Sequence, residues 1–327
     1  MVDISLQIEG QDGLTWTGWK RWTTEVEALG FAGLFRSDHY TNARPPDKNS
    51  LEMIVSLTYF ADHSQRAHVG PLVSPLSFRE PTVLARQAAA LDDLSGGRMI
   101  LGIGAGWQDR EHQLFGHELG DIPTRMNRLE EGLEVITRLL QSDEPVSYEG
   151  HFYQLRGATL LPRPQRPRGP RIMIGGTGVK RTLPLAVRYA DIWNAPFVSP
   201  ETFRERSSHL DTLLRQAGRE PKSVKRTLMA PMFLGRDTSE LDQQLQWRQS
   251  RPELADKSLD EVITALHSNG FLVGTPDRVI EQIQSYANAG VEEIMLVQRG
   301  DPSEQTIEQL RLISEHIIPA SQALGKD

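Results

Sequence analysis

The chain has 327 residues, 38% of them hydrophobic and 24% charged, with a formal net charge of −7 and a pI near 5.8. That length and apolar fraction suit one α/β barrel with insertions and argue against disorder. The acidic balance lacks the footprint of a nucleic-acid protein, and the absence of cysteine excludes disulfides, thiolate nucleophiles, iron–sulfur clusters and cysteine-ligated zinc.

The N-terminal run MVDISLQIEG has no positive n-region followed by an apolar h-region, and no stretch approaches about 18 consecutive apolar residues. The expectation is a soluble cytoplasmic protein that does not bind a membrane. From there, short β-rich runs alternate with helical patterns along the chain. Strands are predicted at Ile4–Ile8, Gly33–Arg36, His68–Val73, Met99–Ile103, Arg171–Gly175, Ile192–Ala195, Arg226–Leu234 and Glu293–Val297. Apolar residues at helical spacing predict helices over Trp19–Leu29, Glu52–Ala61, Thr82–Leu94, Arg125–Leu140, Leu183–Tyr189, Phe203–Ala217, Val279–Ala289 and about Ser303–Leu324. Eight βα units point to a single (β/α)₈ barrel domain over residues 1–327, with an open doubly wound sheet as the rival.

Gly30, Gly218 and Gly290 stand where helices end, and Ser199-Pro200 and Thr275-Pro276 where they begin. Three segments interrupt the repeat. Asn42–Asn49 is a polar loop, Val146–Leu155 alternates like a hairpin around Glu149-Gly150, and residues 237–270 form a polar, mostly helical insertion.

Active sites of such barrels lie at the C-terminal ends of the strands. The second strand runs into Ser37-Asp38-His39-Tyr40, where a carboxylate beside an imidazole is able to tune a proton donor or acceptor. The third strand, His68 to Pro75, carries Gly-Pro and Ser-Pro and reads as distorted or bulged. Gly102, Gly104 and Gly106 before Trp107 leave bare backbone for a flat ring, but their spacing is not the dinucleotide fingerprint. Glu111 and His112 follow, with no His-x-x-x-His or similar pattern to complete a metal site. Gly175-Gly176-Thr177-Gly178, with Lys180 and Arg181 at the next helix, forms a generic phosphate cradle, and Asn194 ends the sixth strand.

Taken together, LGFAGLFRSDHY (29–40), VGPLVSPLSFREPTVLARQAAALDDLSGGRMILGIGAGWQDREHQLFG (69–116), IMIGGTGVKRTLPLAVRYADIWN (172–194) and VGTPDRVIEQIQSYANAGVEEIML (273–296) resemble the luciferase-like monooxygenase superfamily, particularly its branch using the deazaflavin coenzyme F420. The resemblance implies a homodimeric barrel with the ring across its mouth and a small-molecule substrate. It implies that Asp38 and His39 lie against the ring, and that Leu72, Val73 and Ser74 form a bulge with a non-prolyl cis peptide behind it. Gly104, Gly106 and Trp107 match the ring-side loop, and Gly175, Gly176, Thr177, Gly178 and Arg181 the phosphate loop. His39 is the expected proton donor or acceptor and Asp38 its orienting group, with Glu111 and His112 as second choices. Arg36 departs from the apolar residue common at its position. Gly106-Trp107-Gln108 lacks the glutamate that sugar-phosphate dehydrogenases of this branch carry there. No residues that would grip an oligoglutamyl tail stand out, so FMN remains the alternative cofactor. A barrel hydrolase and a non-catalytic flavin binder are the rival functions.

Overall fold

Side chains alternate across a strand, so a run of apolar residues with a polar residue at every second place fills two different cores at once. In the first strand, β1 (Asp3–Glu9), Ile4, Leu6 and Ile8 pack outward beneath the helices while Ser5 and Gln7 point into a lumen, all fully or nearly fully buried. The same division recurs around a parallel barrel. The computed structural model describes residues 1–251, 254 and 256–324.

The remaining strands are β2 (Gly33–Arg36), β3 (His68–Pro71), β4 (Ser74–Pro75), β5 (Ile100–Gly104), the outlying pair β6 (Val146–Glu149) and β7 (Gln154–Ala158), β8 (Arg171–Gly175), β9 (Ile192–Pro196), β10 (Lys225–Leu234), β11 (Leu272–Gly274) and β12 (Glu293–Arg299). They pair in the order β3-β2-β1-β12-β10-β9-β8-β5-β4, every pair parallel. Because β3 and β4 are halves of one stave, interrupted at a cis peptide between Leu72 and Val73, the wall has eight staves. A bridge between Val69 and Met99 closes it. The open-sheet rival is thereby set aside.

The lumen is layered. At the N-terminal end, Lys225 Nζ sits 2.9 Å from both Asp3 and Glu293, Ser5 donates to Glu293, and Arg171 contacts His68 at 2.8 Å. Phe35, Ile100, Met173, Ile192 and Met295 fill the middle. This charged plug and apolar plug leave only the C-terminal end open.

Glycines let the staves approach where β3 and β4 bend. A Cβ at Gly70 would collide with the Ile100 carbonyl, one at Gly102 with the Pro71 carbonyl, and one at Gly104 with the Val73 side chain. The alternating glycines thus answer first to wall packing.

Most predicted elements are present with shifted ends. The first helix is Trp16–Ala28, a turn longer at its start, because the Thr15 hydroxyl accepts from the Gly18 N–H. The helix at Ile122–Gln141 gains its first turn from an Asp121 cap and Pro123. Gly30, Gly218 and Gly290 take positive φ after their helices, and Ser199 caps as expected. Thr275 does not: its side chain makes no cap bond, and Pro276 alone starts that helix. The strand β11, just after the expected insertion at 237–270, was not predicted; it pairs with the far end of β10. The hairpin β6–β7 is antiparallel, and the insertion folds as helices Thr238–Gln244 and Leu259–Ser268 over a small core with Leu241, Val262 and Val273.

Replacing Gly102 with alanine should cost about 1–3 kcal/mol, since neither opposed element is the flexible end of a side chain. Urea unfolding of Gly102→Ala checks this; wild-type stability would show that the wall yields.

Candidate active site

The open end of the barrel is a cavity of about 920 Å³ whose walls come from the C-terminal ends of the strands and the loops after them. One side is nearly bare backbone and apolar surface: Leu72 and Val73 from the bent stave, Gly104 from β5, Gly175 and Gly176 from β8. The facing side carries Glu9, Met229, Pro231, Val297 and Arg299 from β1, β10 and β12, and Asp12 from the turn after β1. His39, Asn194, Trp107 and Phe197 complete the ring around the mouth.

His39 is held by Glu111. Its Nδ1 lies 2.8 Å from Glu111 Oε1, and Glu111 Oε2 accepts the Tyr40 backbone N–H at 3.0 Å. Glu111 is 1% exposed, so this is a shielded carboxylate–imidazole pair. Burial alone pulls the His39 pKa down, but the hydrogen bond and charge of Glu111 outweigh it, and the value is raised. With Nδ1 engaged, and no bond to Nε2 among the described residues, Nε2 is the nitrogen left to meet a ligand. The Trp107 ring, 61% exposed, stands edge-on to His39 with centroids 5.4 Å apart.

Asp38 has a different task from the one expected of it. Its carboxylate accepts two bonds from Arg79, at 2.7 and 2.9 Å, and one from Ser74 Oγ at 2.9 Å. It therefore bolts the end of β2 to the start of β4 instead of orienting His39, and neither Asp38 nor Ser74 borders the cavity. Arg79 also donates to Glu52; burial opposes its charge, yet the two carboxylates hold its pKa above the ordinary value.

His112 is also structural. Its Nδ1 meets the Gln108 carbonyl and its Nε2 the Ser77 hydroxyl, each at 2.7 Å, which pins the loop that carries Trp107. Arg36 faces away from the lumen, donating to Ser56 Oγ at 2.7 Å, and burial pushes its pKa down to about 10.

Of the expected ring and phosphate contacts, His39, Leu72, Val73, Gly104, Gly106, Trp107, Gly175 and Gly176 border the cavity. Thr177, Gly178 and Arg181 do not, and Arg181 bonds to Asn127 and Glu130 on a neighbouring helix. Gly176 has φ +121°, and its backbone is tied to β9 by the Asn194 carbonyl and the Trp193 indole. Sequence reading passed over Glu9, Asp12, Met229, Phe197 and Arg299, although the strand-end position of several was itself a signal. Among the described residues, no three His, Asp or Glu side chains converge as a metal site.

The fold and the site define an α/β-barrel protein whose third stave is bent and whose second ends in an imidazole. The chain belongs to the luciferase-like monooxygenase family, whose model matches residues 4–293. It is 25% identical over 325 residues to an F420-dependent glucose-6-phosphate dehydrogenase of Amycolatopsis mediterranei, covering 93% of this chain and 94% of that one. It is 28% identical over 285 residues to a phthiodiolone/phenolphthiodiolone dimycocerosates ketoreductase of Mycobacterium kansasii, covering 75% of each. Its fold matches an F420-dependent secondary alcohol dehydrogenase in complex with an F420-acetone adduct, with a TM-score of 0.81 at 18% identity, covering 98% of this chain and 99% of that one.

The His39–Glu111 pair generates a pH prediction. The folded-state pKa of His39 is raised above that of the unfolded chain, about 6.5, so the pair's contribution is fully present below that pH and lost as pH rises through the folded value. Unfolding of wild type and His39→Asn across about pH 5–9 should show their stability gap narrowing with pH. In Glu111→Gln the His39 titration followed by NMR should move down. A gap that widens, or a titration that stays put, defeats the assignment.

Proposed function

We propose that this single-domain protein is an F420-dependent oxidoreductase that moves hydride between the deazaflavin and a small organic substrate. The observation that carries the reading is one cavity holding a glycine-lined wall, an apolar ledge and a proton-bearing imidazole, in a chain whose relatives have F420-dependent names.

The residues fit a flat ring. Leu72 and Val73 give it an apolar back, and Gly104, Gly175 and Gly176 border the same cavity with backbone alone. The cavity is within the range of pockets that bury a small ligand, at its upper end, as a ring plus substrate requires. When bound, the deazaflavin supplies two-electron hydride chemistry.

The chain's own residues do the rest. Glu111 keeps Nδ1 of His39 protonated and directs Nε2 toward the cavity, where it takes a proton from a substrate hydroxyl or returns one to a carbonyl. The Asp38–Arg79–Ser74 bolt fixes the ledge relative to the strand end that carries His39, and would hold both in place for a bound ring. Trp107 shields the reacting edge from water. Gly176 borders the cavity with its N–H spent on the Asn194 carbonyl and its own carbonyl on the Trp193 indole, which fixes the bare backbone in place.

The protein works as a cytoplasmic homodimer, for which Val55 and Val83, exposed on the neighbouring helices Met53–His63 and Pro81–Leu94, offer an apolar face. No helix among the described residues is long and apolar enough to cross a membrane.

The deciding experiment is a titration of the protein with F420 and with FMN. Tight binding of F420 alone supports the reading, and preference for FMN moves the chemistry to oxygen activation. His39→Asn should lower kcat by roughly 10²–10⁴-fold while F420 affinity stays within a few fold. Undiminished kcat would remove His39 from the proton path.

A further inference from the structure

The cavity wall carries one buried polar side chain whose hydrogen bonding is half finished. Asn194, near the end of β9, is 2% exposed and borders the cavity. Its Nδ2 lies 2.9 Å from Thr227 Oγ1 and 3.6 Å from Met295 Sδ. Neither neighbour has a proton to give. Thr227 spends its hydroxyl hydrogen on the Trp193 carbonyl at 3.1 Å, and a thioether sulfur has none. Both must therefore face the amide NH2, which fixes the amide one way round and occupies both of its N–H donors. Oδ1 is left on the other side, and no group among the described residues donates to it. Gln7 Oε1 is unpartnered but sealed in protein, whereas Asn194 Oδ1 is unpartnered and open to the cavity.

The surroundings offer that oxygen nothing. Asn194 is the ladder partner of Gly175 on β8, and its backbone carbonyl already holds the Gly176 N–H. Val73 stands against Gly175, and Met229 comes from the adjoining stave β10. Beneath lies the apolar layer that includes Met173, Ile192 and Met295. An acceptor enclosed in such a place is costly until a donor reaches it, because it has given up water for nothing. Nor is it free to adapt. Turning the amide over would set Oδ1 against the Met295 sulfur and break the bond from Thr227 to the Trp193 carbonyl. Asn194 is thus a one-sided reader, which accepts from an N–H or O–H and repels a carbonyl oxygen.

Resting on the function proposed above, we infer that Asn194 Oδ1 accepts a hydrogen bond from the imide N–H of the bound ring. The pyrimidine edge of a deazaflavin, like that of FMN, holds one N–H between two carbonyls, so it offers a single donor to a residue that only accepts. Position favours the imide over a substrate hydroxyl. Asn194 belongs to the bare wall itself, one stave from Gly175, and at 2% exposure a ring lying on that wall covers it before a substrate does. Donor and acceptor are both neutral, so the bond adds no charge to the wall. It fixes which end of the ring meets β9.

The test reads binding by ring fluorescence, without turnover. The probes are F420, its tail-less ring compound 8-hydroxy-5-deazariboflavin, and the N3-methyl derivative of that compound, in which a methyl group replaces the imide hydrogen. Wild-type protein should prefer the unmethylated ring by about fivefold to tenfold, the scale of one neutral hydrogen bond. Asn194→Leu nearly keeps the side-chain volume and removes the acceptor. It should weaken F420 by about the same factor and abolish the discrimination against the methyl group. Wild-type protein that binds the two rings alike overturns the inference, and that comparison stands even if the variant fails to fold. So does a variant that keeps its F420 affinity and its discrimination, because something other than Asn194 then reads the imide. If FMN binds and F420 does not, the cofactor proposed above is wrong, and riboflavin with its N3-methyl derivative decides this inference on the same terms. If neither cofactor binds wild-type protein, the proposed function fails and this inference fails with it.

Discussion

Closing a barrel around side chains requires adjacent staves to approach at every point of the wall, including the one where this wall bends. Between β3 and β4 the stave breaks, so Val69 meets Met99 below the break while Ser74 pairs with Ile103 above it. The backbone can follow that path only because β5 offers Gly102 and Gly104, and because Gly70 faces the Ile100 carbonyl. From this one constraint the site follows. The bend turns Leu72 and Val73 into the lumen as a ledge, and the glycines that permit the approach also leave the adjacent wall without side chains. A stretch of bare wall beside the ledge is thus a by-product of closure. The Asp38 carboxylate, shared between Arg79 and Ser74, then fixes the ledge relative to the second stave, from whose end His39 projects.

Charge is distributed along the lumen so that only one end is reactive. At the closed end, Lys225 lies between Asp3 and Glu293, and the pairing offsets a desolvation that would otherwise be prohibitive. An apolar layer separates this plug from the cavity. The ions above it are divided by purpose. Glu111 is spent on His39, Asp38 on Arg79, and Asp12 on Arg299 and Lys48, so each carboxylate has a defined cationic or imidazole partner. Glu9 is the exception, bonded only to amides.

What sequence reading recovers and misses follows from how far apart the interacting groups lie. Gly33–Arg36 and Arg171–Gly175 match their predicted strands to the residue, because period and flanking turn residues are local signals. Helix starts at Thr15 and Asp121 were missed by a turn because a cap depends on one hydroxyl or carboxylate bond, not on apolar spacing. The strand-end rule brings His39, Leu72, Val73, Gly104, Gly106, Trp107, Gly175 and Gly176 to one cavity. Pairings escape it. Adjacency in sequence suggested Asp38 for His39, yet successive side chains leaving a strand point apart, and the true partner, Glu111, lies 72 positions away. Arg79, which claims Asp38, lies inside the 69–116 block but stands out there by no spacing of its own. Thr177, Gly178 and Arg181 failed to reach the cavity because the loop turns at Gly176 and Arg181 finds Glu130.

The same division explains why membership of a family does not carry a substrate with it. The ledge, the glycine wall and the imidazole belong to staves whose geometry closure dictates, so relatives at about 25% identity can share them. The facing wall is different. Asp12 sits in the turn after β1, Lys48 in the loop after β2, Phe197 beyond β9 and Arg299 at the end of β12, and none is needed to hold the barrel shut. Loop residues of this kind change without cost to the core, and specificity resides in them. Here they place Glu9 and Asp12, the cations Lys48, Arg44 and Arg299, and apolar groups opposite the glycine-bearing wall. The staves settle the shape of the cavity, and a few rim residues settle which groups line its mouth.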